Sequence, residues 1–399
     1  MRKYKVAIAG ATGAVGREMM KVLEEREFPV GELVPLASER SEGQTLEFRG
    51  DDVTVRRLKP DSFAGVDIAL FSPGATVSRE FAPHAARAGA VVIDNSSAFR
   101  MDVDCPLVVP EVNPRDVELA VKPGGRRIIA NPNCSTIQLV VAMKPLHDAA
   151  GLTKVIVATY QSVSGAGQKG IDELEQQARA LFNLEEVTPS KFPHRIAFNL
   201  LPEIGKDSGN GYTDEEMKLV NESRKIMGLP DLLVSSTCVR VPVFYCHSEA
   251  AHLFFERPLP PDEAREILRK APGVKVLDDL NEHIYPMPLL GAGDDATFVG
   301  RIRQDLTNPN ALALFVVSDN LRKGAATNAV QIAELLIREH ADKLSRLINC
   351  WRQVGLGPDH MPIFGDPTKL DHSSIFAFNK LLRFLTYSLA VFFMYTTQT

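Results

Sequence analysis

The sequence predicts an α/β protein. A doubly wound parallel sheet comes first, and a second, α+β domain with a mostly antiparallel sheet follows. Three observations predict it. Short apolar strands alternate with helical stretches up to about residue 130. A glycine-rich turn, GATGAVG at 10–16, joins the first strand to the first helix. Beyond residue 150 the alternation gives way to longer β-rich segments.

In chain order, residues 5–9 are a short apolar strand and 17–26 an amphipathic helix. Residues 28–37 form a second strand region. Residues 67–72 (DIALFS) are the next strand, followed by Pro73-Gly74 and a helical run through Ala88. Residues 91–94 (VVID) and 128–130 complete the first pattern. Residues 155–160, 233–242, 250–255, 274–277 and 311–317 then read as strands, and 324–338 as a helix that returns to the first domain. The expected domains are 1–133, completed by 318–340, then 134–317, with an atypical extension at 341–399. In that extension residues 384–395 (FLTYSLAVFFMY) carry no charge, with Lys380 and Arg383 just before them. A spanning helix needs ~20 apolar residues, so a packed or loosely attached helix is favoured over a membrane span.

At 399 residues the chain has length for two domains. A net charge of -5 offers no footprint for nucleic acid. Five cysteines, an odd number with no CxxC pair and no metal-ligand spacing, argue against a disulfide framework or a metal centre and for a reducing cytoplasm. The first strand starts so early that no signal peptide fits before it.

The glycine turn has the chemistry of a Rossmann-type dinucleotide site. Gly10, Gly13 and Gly16 let backbone approach a pyrophosphate, and Thr12, Ala14 and Val15 lie where a helix N-terminus presents free N–H groups. A plain tight turn is the bland reading. The second strand runs out in Ser38-Glu39-Arg40-Ser41. An acid there would hold ribose hydroxyls, whereas an arginine among serines would hold a 2′-phosphate. Both are present. The balance favours NADP, with Ser38, Arg40 and Ser41 as phosphate contacts, over a merely solvated loop.

The most informative run is NPNCST at 131–136. Asn133 can cap a helix that begins near Cys134, and a helix N-terminus lowers a thiol pKa. The same N–H groups can stabilise a tetrahedral oxyanion. A lone cysteine is more often a small buried hydrophobe, but its polar neighbours here are poor core residues. A dinucleotide site plus an activated thiol suggests hydride transfer to or from a thioester. A proton-handling partner should be a histidine. Arg240 and His247 lie seven apart in one strand-like stretch, and on a regular strand they would face opposite ways. Pro242 permits a bend, so parity leaves the matter open.

Together the motifs resemble aspartate-β-semialdehyde dehydrogenase. They are GATGAVG at 10–16, DNSSAFR at 94–100, NPNCST at 131–136, YQSVSGAG at 160–167, IAFNLLPEIG at 196–205, EEMK at 215–218, CVRVPVFYCHS at 238–248, GRIRQD at 300–305 and SDNLRKGAA at 318–326. The resemblance covers roughly residues 4–340. It implies that Cys134 is the nucleophile, Gln161 orients the reacting group and His247 is the general acid/base. Arg240 would anchor a substrate α-carboxylate and Glu215 its ammonium. Arg100, Asn133 and Lys218 would bind phosphate. Ser72, Gly74, Asn95, Ser164, Gly165, Asn320 and Gly324 would join the glycine turn around NADP(H). The implied reaction is reversible, NADP-dependent reductive dephosphorylation of aspartyl phosphate to aspartate semialdehyde and inorganic phosphate. It serves lysine, threonine and methionine synthesis and proceeds through a Cys134 thioester. The resemblance also implies a homodimer or homotetramer built largely from the second domain.

On residues alone, Glu215 and Lys218 are three apart at the start of a helix and read as a solvated ion pair. Arg100 reads as an ordinary surface charge. Two alternatives stay open. N-acetyl-γ-glutamyl-phosphate reductase has a substrate with an acylated amine, which would not need Glu215. A non-catalytic NADP-binding or redox-sensing protein would keep the glycine turn without needing Cys134, Gln161, Arg240 and His247 together.

Overall fold

A computed structural model describes residues 2–341. The expectations for the extension, including its apolar stretch, lie outside the described residues.

The first sheet has six strands, all parallel. Its order runs Arg56–Arg57, Val30–Ala37, Tyr4–Ala9, Ile68–Phe71, Val91–Asp94, Ile128–Ala130. The chain therefore winds outward from Tyr4–Ala9 in one direction and later in the other. The strand order reverses between Tyr4–Ala9 and Ile68–Phe71, where such sheets open a ligand crevice at their carboxyl ends. Ser72 ties the two ends together there, its Oγ donating toward the carbonyls of Ala9 at 3.1 Å and Gly10 at 3.2 Å. Helices Ala14–Glu25 and Thr327–Glu339 cover one face of this sheet through Met19, Leu23, Val330 and Ile332.

The first helix begins at Ala14, three residues earlier than the sequence suggested, because the glycine turn itself supplies its first turn. Gly10 has φ +82°, a left-handed conformation that favours glycine. A Cβ on Gly16 would lie 2.3 Å from the Gly10 carbonyl oxygen, so only glycine allows the helix to seat so close to the strand.

The second sheet also has six strands, in the order Leu233–Arg240, Leu152–Gln161, His247–Phe255, Ala311–Ser318, Thr297–Gln304, Val274–Val276. The inner pairings are antiparallel, as expected, while both outermost pairings are parallel. Thr297–Gln304 was not anticipated. Its ladder shifts register between Gly300 and Arg303, and Arg301 has φ +53°, so a bulge disrupts the alternation that would announce a strand.

Helix Cys134–Ala150 lies between the sheets. It is apolar nearly all round until its last turns, where Lys144 and Asp148 reach solvent. Leu139, Val140, Met143 and Leu146 join one continuous core with Ala7, Phe71 and Val92 of the first sheet and Ala251, Leu253 and Leu312 of the second. One helix thus carries Cys134 to the junction of both layers.

A carboxylic acid sits inside this layer. Glu249, two residues after His247, is wholly buried and has no direct hydrogen-bond partner among the described residues. Burial pushes its pKa well above the ordinary 4.5, although Gln138 nearby favours the charged form slightly. A raised folded-state pKa means the folded chain holds more protons than the unfolded one above about pH 4.5. This group's contribution therefore falls as pH rises from there toward the folded value. Glu249→Gln, which imitates the protonated acid, should raise the melting temperature at pH 8 and leave it nearly unchanged near pH 4. Melting curves of both proteins across that range check it; a gain that is flat with pH would contradict the neutral state.

Candidate active site

Three strand ends converge beside the first turn of the cysteine helix. Arg240 closes its strand opposite Gln161. His247 opens the strand on the other side of Leu152–Gln161, one residue before Ser248, which pairs with Tyr160. The seven-residue parity question is thereby removed. Arg240 and His247 belong to different strands, separated by a turn in which Cys246 adopts φ +70°.

Asn133 caps helix Cys134–Ala150, its Oδ1 accepting from the N–H groups of Ser135 at 3.1 Å and Thr136 at 3.2 Å. Its amide donates to Glu215 Oε1 at 2.9 Å. Gln161 Nε2 reaches the same oxygen at 3.2 Å, and Lys218 Nζ donates to Oε2 at 2.8 Å. Glu215 is buried, so the pair is not the solvated surface contact that its spacing alone suggested. Burial by itself would raise this carboxyl. The Lys218 charge and the hydrogen bonds from Lys218, Asn133 and Gln161 overcome it and carry the pKa down to about 2. Glu215 is held ionised at the bottom of the cleft.

Arg100 is likewise buried rather than a surface charge. It donates to Glu222 Oε1 at 3.0 Å and to the carbonyls of Asn131 and Asn95 at 3.0 and 2.9 Å. The other Glu222 oxygen accepts the Asn133 N–H at 2.7 Å. Glu222 therefore ties the Arg100 loop to the cysteine turn, and the sequence reading missed it. A signal existed: Glu215, Lys218 and Glu222 follow a 0, 3, 7 spacing along helix Asp214–Met227, one face of a helix. Glu222→Ala strands a buried guanidinium, so it should cost about 3–5 kcal/mol of stability. Denaturant unfolding measures that loss, and a cost below about 1 kcal/mol would mean water reaches the pair freely.

The thiol departs from expectation. Burial pushes Cys134 up to about 12, with Glu215 adding to the rise and Arg100 and Arg240 opposing it. Cys134 is only partly covered and lines the cleft, but loss of water around the sulfur opposes the thiolate that its first-turn position on the helix would favour. His247 is buried completely, and burial followed by the Arg240 charge lowers its pKa to about 3. Thiol and imidazole are both neutral in this state.

An open cleft of about 520 Å³ runs from the glycine turn to these groups. Gly13, Ala14, Val15, Ser72, Gly74 and Asn95 line its first-sheet end. Cys134, Gln161, Glu215, Lys218, Arg100 and Arg240 line the other, with Asn133, Ser164, Gly165, Asn320 and Gly324 between. The remaining expected contacts do not line it. Gly10 and Gly16 shape the turn behind it, and His247 sits behind Gly165, where an added Cβ would lie 3.1 Å from Nε2. Ser38 and Arg40 are exposed beyond the glycine turn. Ser41 meets Thr12 there, with 3.4 Å between hydroxyls. Arg57 engages Glu39 at 2.9 Å, so that acid already has a partner. The glycine cradle, the switch-point crevice and this basic corner fit a dinucleotide carrying an extra phosphate.

Comparison with known proteins agrees with this geometry. Residues 5–120 match the family described as semialdehyde dehydrogenase, NAD binding domain, and residues 143–323 match semialdehyde dehydrogenase, dimerisation domain. An aspartate-semialdehyde dehydrogenase of Aquifex aeolicus is 58% identical over 338 residues, covering 84% of this chain and 98% of that protein. One of Bacillus subtilis is 51% identical over 343 residues. The crystal structure of aspartate semialdehyde dehydrogenase II from Vibrio cholerae, complexed with ASA, superposes with a TM-score of 0.83 at 50% identity, covering 85% of this chain and all of that one. The Candida albicans enzyme, solved with NADP, gives 0.65 at 28% identity. With such identity sustained along nearly the whole of its relatives and both domain descriptions matched in order, the chain belongs to the aspartate-semialdehyde dehydrogenase family.

Proposed function

We propose that this chain reversibly reduces L-aspartyl-4-phosphate to L-aspartate-4-semialdehyde with NADPH, through a thioester on Cys134. One observation carries the substrate assignment: a buried arginine and a buried, ionised glutamate flank one cysteine in one cleft. Arg240 offers a planar fork for an α-carboxylate, and Glu215 offers a fixed negative charge for the α-ammonium. An N-acylated substrate carries no ammonium to meet that carboxylate, which argues against the acetylglutamyl alternative.

Arg100, Lys218 and Asn133 line the same cleft as Cys134 and supply the positive charge and N–H donors that a departing phosphate needs. Gln161 lines the cleft with Cys134 and would orient the reacting group, and His247 serves the reacting oxygen. NADPH supplies the hydride when bound along the glycine turn. Gly324 packs against Cys134, where an added Cβ would come within 3.0 Å of the Cys134 Cβ, so the returning segment closes the cleft around the reacting carbon. Arg40, Ser38 and Ser41 read the 2′-phosphate. Arg40→Ala should weaken NADPH binding about 10–100-fold, the value of a charge-assisted contact, and leave NADH nearly unchanged. Fluorescence titration of both cofactors checks it; equal loss for both would remove Arg40 from the phosphate site.

A homodimer or homotetramer fits the second sheet. Its face away from the cysteine helix leaves Ile156, Tyr160 and Leu233 exposed, an apolar surface a second copy can cover. A reducing cytoplasm fits the four free cysteines among the described residues. The test of the reading is NADP reduction with L-aspartate-4-semialdehyde, with and without inorganic phosphate. Phosphate-dependent turnover supports it, and a folded, NADP-binding chain with no turnover would sink it.

A further inference from the structure

His247 has two unlike nitrogens. Nδ1 faces the backbone N–H of Ser162 at 3.1 Å, and Ser162 Oγ lies equally near it. That hydroxyl also donates to Asn320 Oδ1 at 3.0 Å and lies 3.0 Å from Ser164 Oγ. A backbone N–H can only donate, so Nδ1 must accept, and a proton on Nδ1 would set two donors against each other. Nε2 has no partner among the described residues and is fully buried. It lies against Gly165, which lines the cleft and has no side chain to come between the two.

The geometry points to Ser162 as a positioning residue: its main-chain N–H locks His247 as the neutral Nε2–H tautomer. The imidazole is then a hydrogen-bond donor to the reacting oxygen and not the base for the Cys134 thiol. This rests on the reaction proposed above and narrows the acid/base role that the resemblance implied to its donor half. The charges around the ring agree. Burial and Arg240 disfavour a second proton, and Glu215 and the Cys246 carbonyl oppose them without prevailing. Arg240 holds the same residue from the other side, donating to the Ser162 carbonyl at 2.7 Å.

The chemistry balances without a proton on Nδ1. Sulfur bonds to the acyl carbon, the carbon–phosphate oxygen bond breaks, and the thiol proton leaves on the phosphate. Hydride from NADPH then reduces the thioester carbon, and NADPH is oxidised. The resulting oxyanion accepts from Nε2–H. It reforms the carbonyl as the carbon–sulfur bond breaks, and the thiolate regains a proton from solvent. The oxygen needs a donor twice and a base never.

Ser162 has φ -64°, the value proline imposes, so Ser162→Pro suits the backbone while replacing the N–H with a ring carbon that displaces the imidazole from its acceptor position. Ser162→Ala removes only the hydroxyl. Nitrogen-15 NMR of the full chain labelled at histidine, with His247 assigned by its loss in His247→Gln, should show a neutral Nε2–H ring in wild type at pH 7. Ser162→Ala should keep that signature. Ser162→Pro should lose it and drop kcat at least about tenfold, with a smaller change in KM, because a misoriented tautomer cannot donate. An Nδ1–H or doubly protonated ring in wild type overturns the inference whether or not Ser162→Pro folds, and so does a Ser162→Pro protein that behaves like Ser162→Ala. The NMR readout does not depend on turnover. A chain inactive on the semialdehyde but showing Nε2–H would therefore indict the substrate and spare the tautomer.

Discussion

Cys134→Ala should lower kcat/KM for the semialdehyde by at least about 10⁴-fold while NADPH still binds, because no other group can form the thioester. The size follows from what remains. Arg240, Glu215 and the glycine turn would still gather substrate and cofactor, but proximity alone cannot replace a covalent step. The resting thiol sharpens the expectation. Burial holds Cys134 near 12, so alkylation of the free protein by iodoacetamide at pH 7 should be slow, without the burst a resting thiolate gives. Steady-state rates with both proteins, beside alkylation timed by mass spectrometry, check both statements. A mutant retaining a tenth of the activity would remove Cys134 from the mechanism, and rapid labelling of the free protein would mean that the helix N-terminus prevails over burial.

The second large effect is at Arg240. Arg240→Lys keeps the charge but loses the planar fork, and should cost about 100-fold in kcat/KM. The loss should appear in kcat as well as KM. Besides the substrate end, Arg240 holds the Ser162 carbonyl at 2.7 Å, and the Ser162 N–H faces His247. A shortened cation lets that peptide move, so carboxylate binding and the geometry at the reacting oxygen degrade together. Saturation kinetics separate the two contributions. A rise in KM with kcat intact would confine Arg240 to substrate anchoring and leave Ser162 steadied by other contacts.

Much of the fold was legible because its signals are local. Val91–Asp94 and Ile128–Ala130 form strands at the residues expected, since short apolar runs between turn residues have few other stable states. Asn133 caps its helix as its residue type predicts. What was hidden depended on contacts between distant segments. Thr297–Gln304 escaped notice because a bulge broke its alternation. Arg100 and Lys218 resembled solvent-facing charges, and only the packing of helix Asp214–Met227 against the cysteine turn buries Arg100 beside Glu222 and half-buries Lys218 beside Glu215. Ser162 carried no distinguishing mark, because its contribution comes from the backbone, which every residue but proline shares.

The succession of strands and helices, the glycine turn and the polar cysteine turn could all be read along the chain, and with them the family resemblance. Each is written in near neighbours, where covalent geometry and short-range sterics decide the outcome. Only the tertiary structure decided the state of the groups. An ionised Glu215, a neutral Cys134 and a neutral His247 all follow from burial and from charges brought close by folding. The energy of a charge depends on everything within several ångströms of it, and in this cleft those neighbours come from five separate stretches of chain.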